Sequence, residues 1–214
     1  MRKKLVRFAE NALRDNIIEP GKPLFDEIKG NWHQLYFKND CPITVELGCG
    51  DGEYTVGLAG MQPERNFIGV DIKGDRLHQG STIAIEKGLN QVGFLRSQIH
   101  MLDNFFGEGE VDEFWLTFPD PRPKKGDAKR RLTNPRFLQM YQQICKPNGW
   151  FMDERIGGTY IEIYARKFFR RRIIICRHPE TPLRHRVWVS RISAHRRANK
   201  QERQKRERRR IPAR

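Results

Sequence analysis

Three glycines in the segment VELGCGDGEY stand in a G-x-G-x-G arrangement, at Gly48, Gly50 and Gly52. Glycines at a strand-to-helix turn let the backbone come close to a ligand, although a tight turn without a ligand is the alternative interpretation. A dinucleotide fingerprint requires a further glycine three residues after Gly50, where Glu53 stands, and no phosphate-binding lysine follows as in a P-loop. A nicotinamide or ATP cofactor is therefore disfavoured.

Two acidic residues accompany this turn. Glu46 lies at the end of the first predicted strand, where a carboxylate repels phosphate and attracts a cation such as a sulfonium with an amino-acid tail. Asp71 ends the second predicted strand 21 residues after Gly50, the distance at which an acid commonly binds ribose hydroxyls. Glu46, Gly48, Gly50 and Asp71 together predict a binding site for S-adenosylmethionine.

The elements that must position these residues are strands alternating with helices. Short apolar runs predict strands over residues 43–47, 66–72, 92–95 and 111–118, and helices are predicted over 55–61, 75–87 and 135–145. This alternation predicts an α/β fold of the Rossmann-like type, a mostly parallel sheet flanked by helices. Ligands of such sheets bind at the carboxyl ends of the strands.

The segments FPDPRPKK and KRRLTNPRFLQMY carry a more specific signal. They resemble the bacterial tRNA (guanine-N(7)-)-methyltransferase family, and the likeness extends back through NFIGVDIKGDRL and PGKPLFDEIKGNW to cover residues 1 to about 150. The resemblance implies a class I S-adenosylmethionine-dependent methyltransferase fold. It also implies methyl transfer to nitrogen 7 of a guanine in the variable loop of tRNA, with tRNA as the partner.

The chemistry of that reaction agrees with the residues. Nitrogen 7 of guanine is an acceptor with a free lone pair, so its attack on the sulfonium methyl requires neither a strong base nor a metal. Asp120 is the candidate catalytic and substrate-binding residue, because a carboxylate stabilises the positive charge gained by the base and accepts hydrogen bonds from its ring NH and amino group. Pro119 and Pro121 are expected to stiffen its backbone. The alternative is a loop aspartate that only makes a turn.

Other site residues depend on the resemblance. Lys124 is predicted to bind substrate, whereas Lys125, Lys129, Arg130 and Arg131 are either phosphate contacts or solvated surface charges. Ser97 stands where the family usually has Asp or Asn, and we predict that its hydroxyl contacts the cofactor. His100 is interpreted as a residue of a helix surface, since the reaction needs no base.

The carboxyl-terminal part of the chain departs from the family. Residues 166–214 hold 19 of the 41 basic residues and 3 of the 26 acidic ones, a net charge of +16, which leaves −1 for residues 1–165. After KPNGWF the family's Lys-Thr-Asp-like and Thr-Arg-x-Glu-like motifs are not found. We hypothesise a shifted reading frame near residues 150–155; an undisturbed coding sequence there, with in-frame relatives of the tail, would contradict it. Loss of these motifs predicts a carboxyl-terminal sheet edge that is incomplete, with TYIEIY and RRIIICR able to pair as strands.

These observations predict three segments and one alternative function. Residues 1–40 are predicted to form an amino-terminal arm and helix, with Leu24 to Tyr36 at the spacing of one continuous helix. Residues 41–155 form the methyltransferase domain, and residues 156–214 form an atypical Arg-rich segment that is partly disordered. The alternative function is a catalytically impaired RNA-binding protein that retains the methyltransferase core; a small-molecule methyltransferase is disfavoured by FPDP and the basic cluster.

Apolar runs and cysteine spacing indicate the cellular compartment in which the protein is expected. No apolar run reaches the roughly 18 residues that a membrane span requires, and no signal peptide is recognised. The four cysteines form no CxxC pair, which predicts neither zinc nor disulfides. We expect a cytoplasmic protein without membrane or metal.

Overall fold

A twisted sheet with helices packed against it is the centre of the computed structural model, which describes residues 3–117, 119–120, 122, 124–154, 160–163 and 175–176. Within those residues the sheet has eight strands, in the spatial order β1-β4-β3-β2-β5-β6-β7-β8. The strands are β1 Ile17–Ile18, β2 Ile43–Leu47, β3 Asn66–Asp71, β4 Val92–Arg96, β5 Val111–Thr117, β6 Cys145–Glu154, β7 Tyr160–Ile163 and β8 Ile175–Cys176.

The first six strands, β1 to β6, are parallel to one another, which confirms the predicted α/β architecture. Chain order runs outward from β2 in both directions, to β3 and β4 on one side and to β5 and β6 on the other. The loops that follow β2 and β5 therefore leave in opposite directions and open a crevice between them, the position at which such sheets bind ligands.

Five α-helices, two 3₁₀ helices and one π-helical turn connect the strands in the described residues. The helices are α1 Lys3–Ala12, α2 Pro23–Glu27, α3 Glu53–Ala59, α4 Gly74–Glu86 and α5 Pro135–Ile144. Residues Trp32–Phe37 form a π-helical turn, and Ile99–Asn104 and Lys125–Arg130 form 3₁₀ helices. Asn134 caps α5 through a hydrogen bond from the Arg136 N–H to its side chain, with Pro135 in the first helical position.

The amino-terminal segment differs from the predicted single helix. Instead of one helix from Leu24 to Tyr36, the chain breaks after α2, where Gly30 has a φ of +75° that a continuous helix does not allow. The carboxylate of Glu110 holds this break, accepting hydrogen bonds from the N–H groups of Gly30 and Trp32 at 3.0 Å each. The sequence spacing did not predict it because Glu110 lies 78 or more residues away along the chain.

The same segment also contributes to the sheet, which the sequence did not predict. β1 pairs in parallel with β4, with Ile17 opposite Phe94 and Ile18 opposite Leu95. Trp32 is fully buried and donates its indole N–H to the carbonyl of Phe105 at 2.8 Å. Residues 3–40 are therefore packed elements of the fold.

The central strands account for the stability of the sheet. All five residues of β2 are buried, as are five of the six of β3. Parallel strands covered on both faces are expected to be apolar throughout, and their burial supplies the largest favourable contribution to folding. Among the described residues, no helix has the length and apolar character needed to cross a membrane.

The carboxyl-terminal edge carries two antiparallel strands. β7 pairs with β6, with Asp153 opposite Ile161, and β8 pairs with β7, with Ile163 opposite Ile175. The prediction that TYIEIY and RRIIICR form strands is therefore confirmed. Apart from these two strands, the Arg-rich segment 156–214, which was predicted to be partly disordered, lies outside the described residues.

Candidate functional site

The glycine-rich turn after β2 is bonded to the end of β3. The N–H groups of Gly48 and Cys49 both donate to the carbonyl of Val70, at 2.8 and 3.0 Å, and the Gly50 N–H donates to the Asp71 carboxylate at 3.0 Å. Gly48 and Gly50 have φ values of +72° and +58°, a backbone conformation that favours glycine. The turn is thus held in one shape by backbone hydrogen bonds.

Gly52 allows α3 and α4 to approach each other closely. A methyl group in place of its hydrogen would lie 2.7 Å from the ring of Phe94 and 3.0 Å from the Cα of Gly80 in α4. Such distances are shorter than packing allows, so any side chain here would push α3 away from α4. At Gly52 the close approach is to protein atoms, and the predicted approach of the turn to a ligand stays a prediction.

Glu46 is buried beneath this turn, with 3% of its surface exposed. One of its carboxylate oxygens accepts hydrogen bonds from the N–H and the hydroxyl of Thr55, at the start of α3. The other accepts a hydrogen bond from the Thr117 hydroxyl at 2.7 Å, at the end of β5. A buried carboxylate is stable only with such donors, and this one joins the two sides of the crevice. Its direct contact with a cofactor stays a prediction.

The carboxylate of Asp71 is fixed by two backbone N–H groups. One oxygen accepts from Gly50 and the other from Lys73, at 3.0 and 2.9 Å. The structure thus brings together the two residues whose 21-residue separation predicted a shared site. Each oxygen of a carboxylate has two lone pairs, so Asp71 keeps the capacity to accept hydrogen bonds from hydroxyls.

A pocket of about 510 Å³ lies beside Asp71, at the carboxyl ends of β3 and β4. Ile72, Ser97, Gln98 and Met101 line one part of it. Ile72 and Met101 leave 51% and 37% of their surfaces exposed. The Ser97 hydroxyl donates to the carbonyl of Gln98 at 3.3 Å, and its oxygen keeps the capacity to accept a hydrogen bond. Its contact with a cofactor stays a prediction.

Sequence reasoning found Ser97 and missed the rest of this pocket. Ile72 and Met101 were assigned no role, although an apolar residue directly after the acid of β3 is a signal that could have been used. The remaining wall comes from the amino-terminal segment, through Pro20, Phe25 and Asp26. No sequence pattern joins those residues to a site formed 50 to 80 residues later.

Asp120 lies on the other side of the crevice, after β5, and is largely solvent-exposed. Its side chain is 73% exposed, and one oxygen lies 3.6 Å from the guanidinium of Arg122. The carbonyl of Arg122 accepts a hydrogen bond from the Arg131 side chain at 3.1 Å, which ties this loop to the basic segment that follows. Phe118, Pro121 and Pro123 lie outside the described residues, so the stiffening of this loop by prolines stays a prediction.

The basic residues after Asp120 lie mostly on the surface. Lys124, Lys125, Lys129 and Arg130 are exposed, and Arg131 is half-buried. Arg130 forms an exposed ion pair with Asp127 at 3.6 Å. Exposed charges on one short 3₁₀ helix can meet a polyanion, and they are equally stable in solvent. His100 is exposed on its own 3₁₀ helix, as its sequence position indicated.

One buried thiol, that of Cys49, lies in the glycine turn. Burial raises the pKa of the Cys49 thiol well above its ordinary value, and the carboxylates of Glu46 and Asp71 raise it further. Cys49 is therefore an uncharged packing group at neutral pH. Among the residues that the structure describes, no three His, Cys, Asp or Glu side chains form a group able to hold a metal ion.

The strand order and the glycine turn define a Rossmann-like α/β protein of the methyltransferase class. A family model described as "Putative methyltransferase" matches residues 40–154. The tRNA (guanine-N(7)-)-methyltransferase of Christiangramia forsetii is 50% identical over 150 residues, which cover 68% of this chain and 67% of that protein. The chain belongs to the tRNA (guanine-N(7)-)-methyltransferase family.

Further relatives carry the same name. The enzyme of Cytophaga hutchinsonii is 47% identical over 148 residues, covering 69% of this chain and 66% of that protein. The enzyme of Bacteroides fragilis is 48% identical over 150 residues, covering 68% and 59%. The chain thus spans two thirds or less of the length of most of these relatives. A crystal structure of the antibiotic-resistance methyltransferase Kmr is similar with a TM-score of 0.47 and 19% identity, over 72% of this chain and 74% of that one, which is too distant to bear on function.

Proposed function

We propose that this protein transfers the methyl group of S-adenosylmethionine to nitrogen 7 of a guanine in the variable loop of tRNA. The observation that carries the proposal is the arrangement of two different acids across one crevice. Asp71 is fixed at the glycine turn on one side, and the exposed Asp120 lies on the other. The names of the relatives support the same reaction.

The residues beside the glycine turn suit S-adenosylmethionine. Asp71 retains acceptors for the ribose hydroxyls, and the pocket formed by Ile72, Ser97 and Met101 suits the adenine ring. The side chain of Cys49, between Gly48 and Gly50, is buried, so the turn presents mainly backbone to a ligand. When bound, the cofactor supplies an activated methyl group on a sulfonium.

The residues after β5 suit the guanine. The reacting nitrogen has a lone pair and no proton to lose, so the protein's task is to position the base and to stabilise the charge that it gains. Asp120 accepts hydrogen bonds from the ring NH and the amino group of guanine, and exchanges its ion pair with Arg122 for them. Lys124 and the exposed cations near it meet the tRNA phosphates.

A catalytically impaired RNA-binding protein remains the second interpretation, and the names of the relatives do not favour it. It depends on the basic tail and the missing family motifs, both in residues that the structure does not describe. A protein that acts on tRNA is expected in the cytoplasm.

Methyl transfer from labelled S-adenosylmethionine to unmodified tRNA, with mapping of the modified base, tests the proposal. Wild-type protein is expected to methylate a variable-loop guanine and Asp120→Ala to lose that activity. Folded protein that binds S-adenosylmethionine and tRNA without methyl transfer would instead support the RNA-binding interpretation. Methylation of another base would overturn the assignment of nitrogen 7.

A further inference from the structure

The loop between β1 and α2, residues 19–22, forms one wall of the pocket beside Asp71. Pro20 lines the pocket directly, and Glu19 is 5% exposed. The Glu19 carboxylate lies 3.2 Å from the guanidinium of Arg96, which ends β4 and lines the same pocket. The wall is therefore connected to the end of β4 by a partly buried ion pair.

Lys22 connects this loop to the preceding segment of the chain. Its ammonium donates hydrogen bonds to three backbone carbonyls, those of Asn11 at 2.8 Å, Arg14 at 2.5 Å and Ile17 at 2.7 Å. An ammonium has three N–H donors, so all of them are used inside the protein. The three carbonyls belong to the end of α1, the following turn and the start of β1, so one side chain fixes their relative positions.

Partial burial of the Lys22 ammonium costs free energy, because the charge loses hydration. Burial lowers the pKa of this lysine, and the nearby carboxylates of Glu19 and Asp15 oppose that change. A partly buried ammonium is kept in place when its hydrogen bonds offset the loss of hydration. An apolar side chain of similar length supplies none of the three N–H donors that these carbonyls accept.

The fixed segment reaches the proposed cofactor site by two routes. Through β1, it is paired with β4, whose last residues continue into Ser97 and Gln98 of the pocket. Through α1, the Asn11 side chain donates to the carbonyl of Gly74 at 2.7 Å, three residues after Asp71. The ring of Phe8 also lies 4.8 Å from the guanidinium carbon of Arg96.

We propose that Lys22 is a positioning residue of the cofactor pocket. By fixing residues 11–22 it keeps the Pro20 wall and the Glu19–Arg96 pair in the shape that binds S-adenosylmethionine. The inference rests on the proposed function, because it takes this pocket as the cofactor's. The three hydrogen bonds of Lys22 run to residues 11–17 and not to the loop that carries Asp120, so we expect it to act on cofactor affinity and to leave the rate at saturating cofactor unchanged.

The test compares Lys22→Met with Lys22→Arg and with Lys29→Met, which changes an exposed lysine seven residues away. Titration calorimetry gives the Kd for S-adenosylmethionine, and steady-state kinetics gives kcat and both KM values. Lys22→Met is expected to raise the Kd and KM for S-adenosylmethionine about tenfold, the effect of one or two charged hydrogen bonds. The kcat and the KM for tRNA are expected to stay within about twofold, as in Lys29→Met, with partial recovery in Lys22→Arg.

Each outcome decides between the two proposals. A folded Lys22→Met variant with wild-type affinity for S-adenosylmethionine, or one that loses kcat in equal measure, overturns the positioning role alone. Wild-type protein that does not bind S-adenosylmethionine overturns the proposed function and this inference with it. If Lys22→Met does not fold, Glu19→Gln provides the measurement, because it loosens the same wall at one ion pair; unchanged affinity there overturns the inference.

Discussion

The two sides of the crevice hold their acids in opposite ways. On the β2–β3 side, both oxygens of Glu46 and of Asp71 are hydrogen-bonded to the protein, largely by backbone N–H groups. On the β5 side, Asp120 is 73% exposed and lies near one guanidinium. One side is thus organised before any ligand binds, and the other is completed by its ligand. This difference suits a small cofactor on the first side and a large polar substrate on the second.

The largest expected effect is on the exposed side. Asp120→Ala is expected to lower kcat/KM for tRNA methylation by about 100- to 1000-fold, as loss of one charge-stabilising group does. Its affinity for S-adenosylmethionine and its urea midpoint should equal those of wild type, because the side chain is exposed. Asp127→Ala, which removes another acid of the same loop, is the control, and its kcat/KM should stay within about threefold. A large loss of stability in Asp120→Ala would contradict the contrast between the two sides.

On the β2–β3 side of the crevice, one substitution is expected to lower both the affinity for the cofactor and the stability of the protein. Asp71→Ala is expected to weaken binding of S-adenosylmethionine by about 10- to 100-fold and to lower the free energy of unfolding by about 1 to 3 kcal/mol. The reason is that the N–H groups of Gly50 and Lys73 lose their acceptor along with the ligand. Calorimetry and urea denaturation measure the two effects. Asp71→Asn keeps one carbonyl acceptor, so its cofactor affinity and its stability should lie between those of Asp71→Ala and wild type. Unchanged stability in both variants would mean that the Asp71 carboxylate does not hold the glycine turn in place.

Thr117 joins the two sides, since it ends β5 and donates to Glu46. Thr117→Val keeps the shape of the side chain and removes the donor, so the free energy of unfolding should fall by about 1 to 2 kcal/mol. Thr117→Ser retains the hydroxyl and should recover most of the loss. Thermal and urea unfolding followed by circular dichroism measure the change. Equal stability of the valine variant and wild type would mean that Glu46 does not need this donor.

The smallest effect is expected from single surface cations. Lys129→Ala should raise the KM for tRNA about two- to threefold and reduce the salt dependence of tRNA binding by about one phosphate contact. Lys87→Ala, which removes an exposed lysine at the carboxyl end of α4, should change neither the KM for tRNA nor the salt dependence. Binding measured at several salt concentrations gives both values. If Lys87→Ala and Lys129→Ala behave alike, Lys129 is a solvated surface charge.

The central strands of the sheet could be predicted from the sequence. The strands of residues 43–117 were predicted because each is a short apolar run. A shared site for Gly50 and Asp71 was predicted because one follows, and the other ends, a strand of a parallel sheet. These signals are local, or they follow from one rule of parallel sheets.

The parts that escaped prediction depend on distant residues. β1 has two residues, too few for any periodic signal, and it becomes a strand only because β4 lies beside it. The break near Gly30 exists because Glu110 accepts its N–H groups. The pocket wall at Pro20 and the contacts of Lys22 have the same origin. The roles of Asp120, Lys124 and Ser97 came from the family resemblance and stay predictions until the activity is measured.

The pairing of β1 with β4 has a consequence for the order of folding. Ile17 meets Phe94, so the first strand of the chain has no partner until about 75 further residues have been synthesised. Contacts with so large a sequence separation form slowly, because the intervening loop must close first. On the ribosome, β1 remains without β4 while β2 and β3 can already pair. β1 is therefore expected to join the sheet after β2 and β3, although it precedes both in the chain.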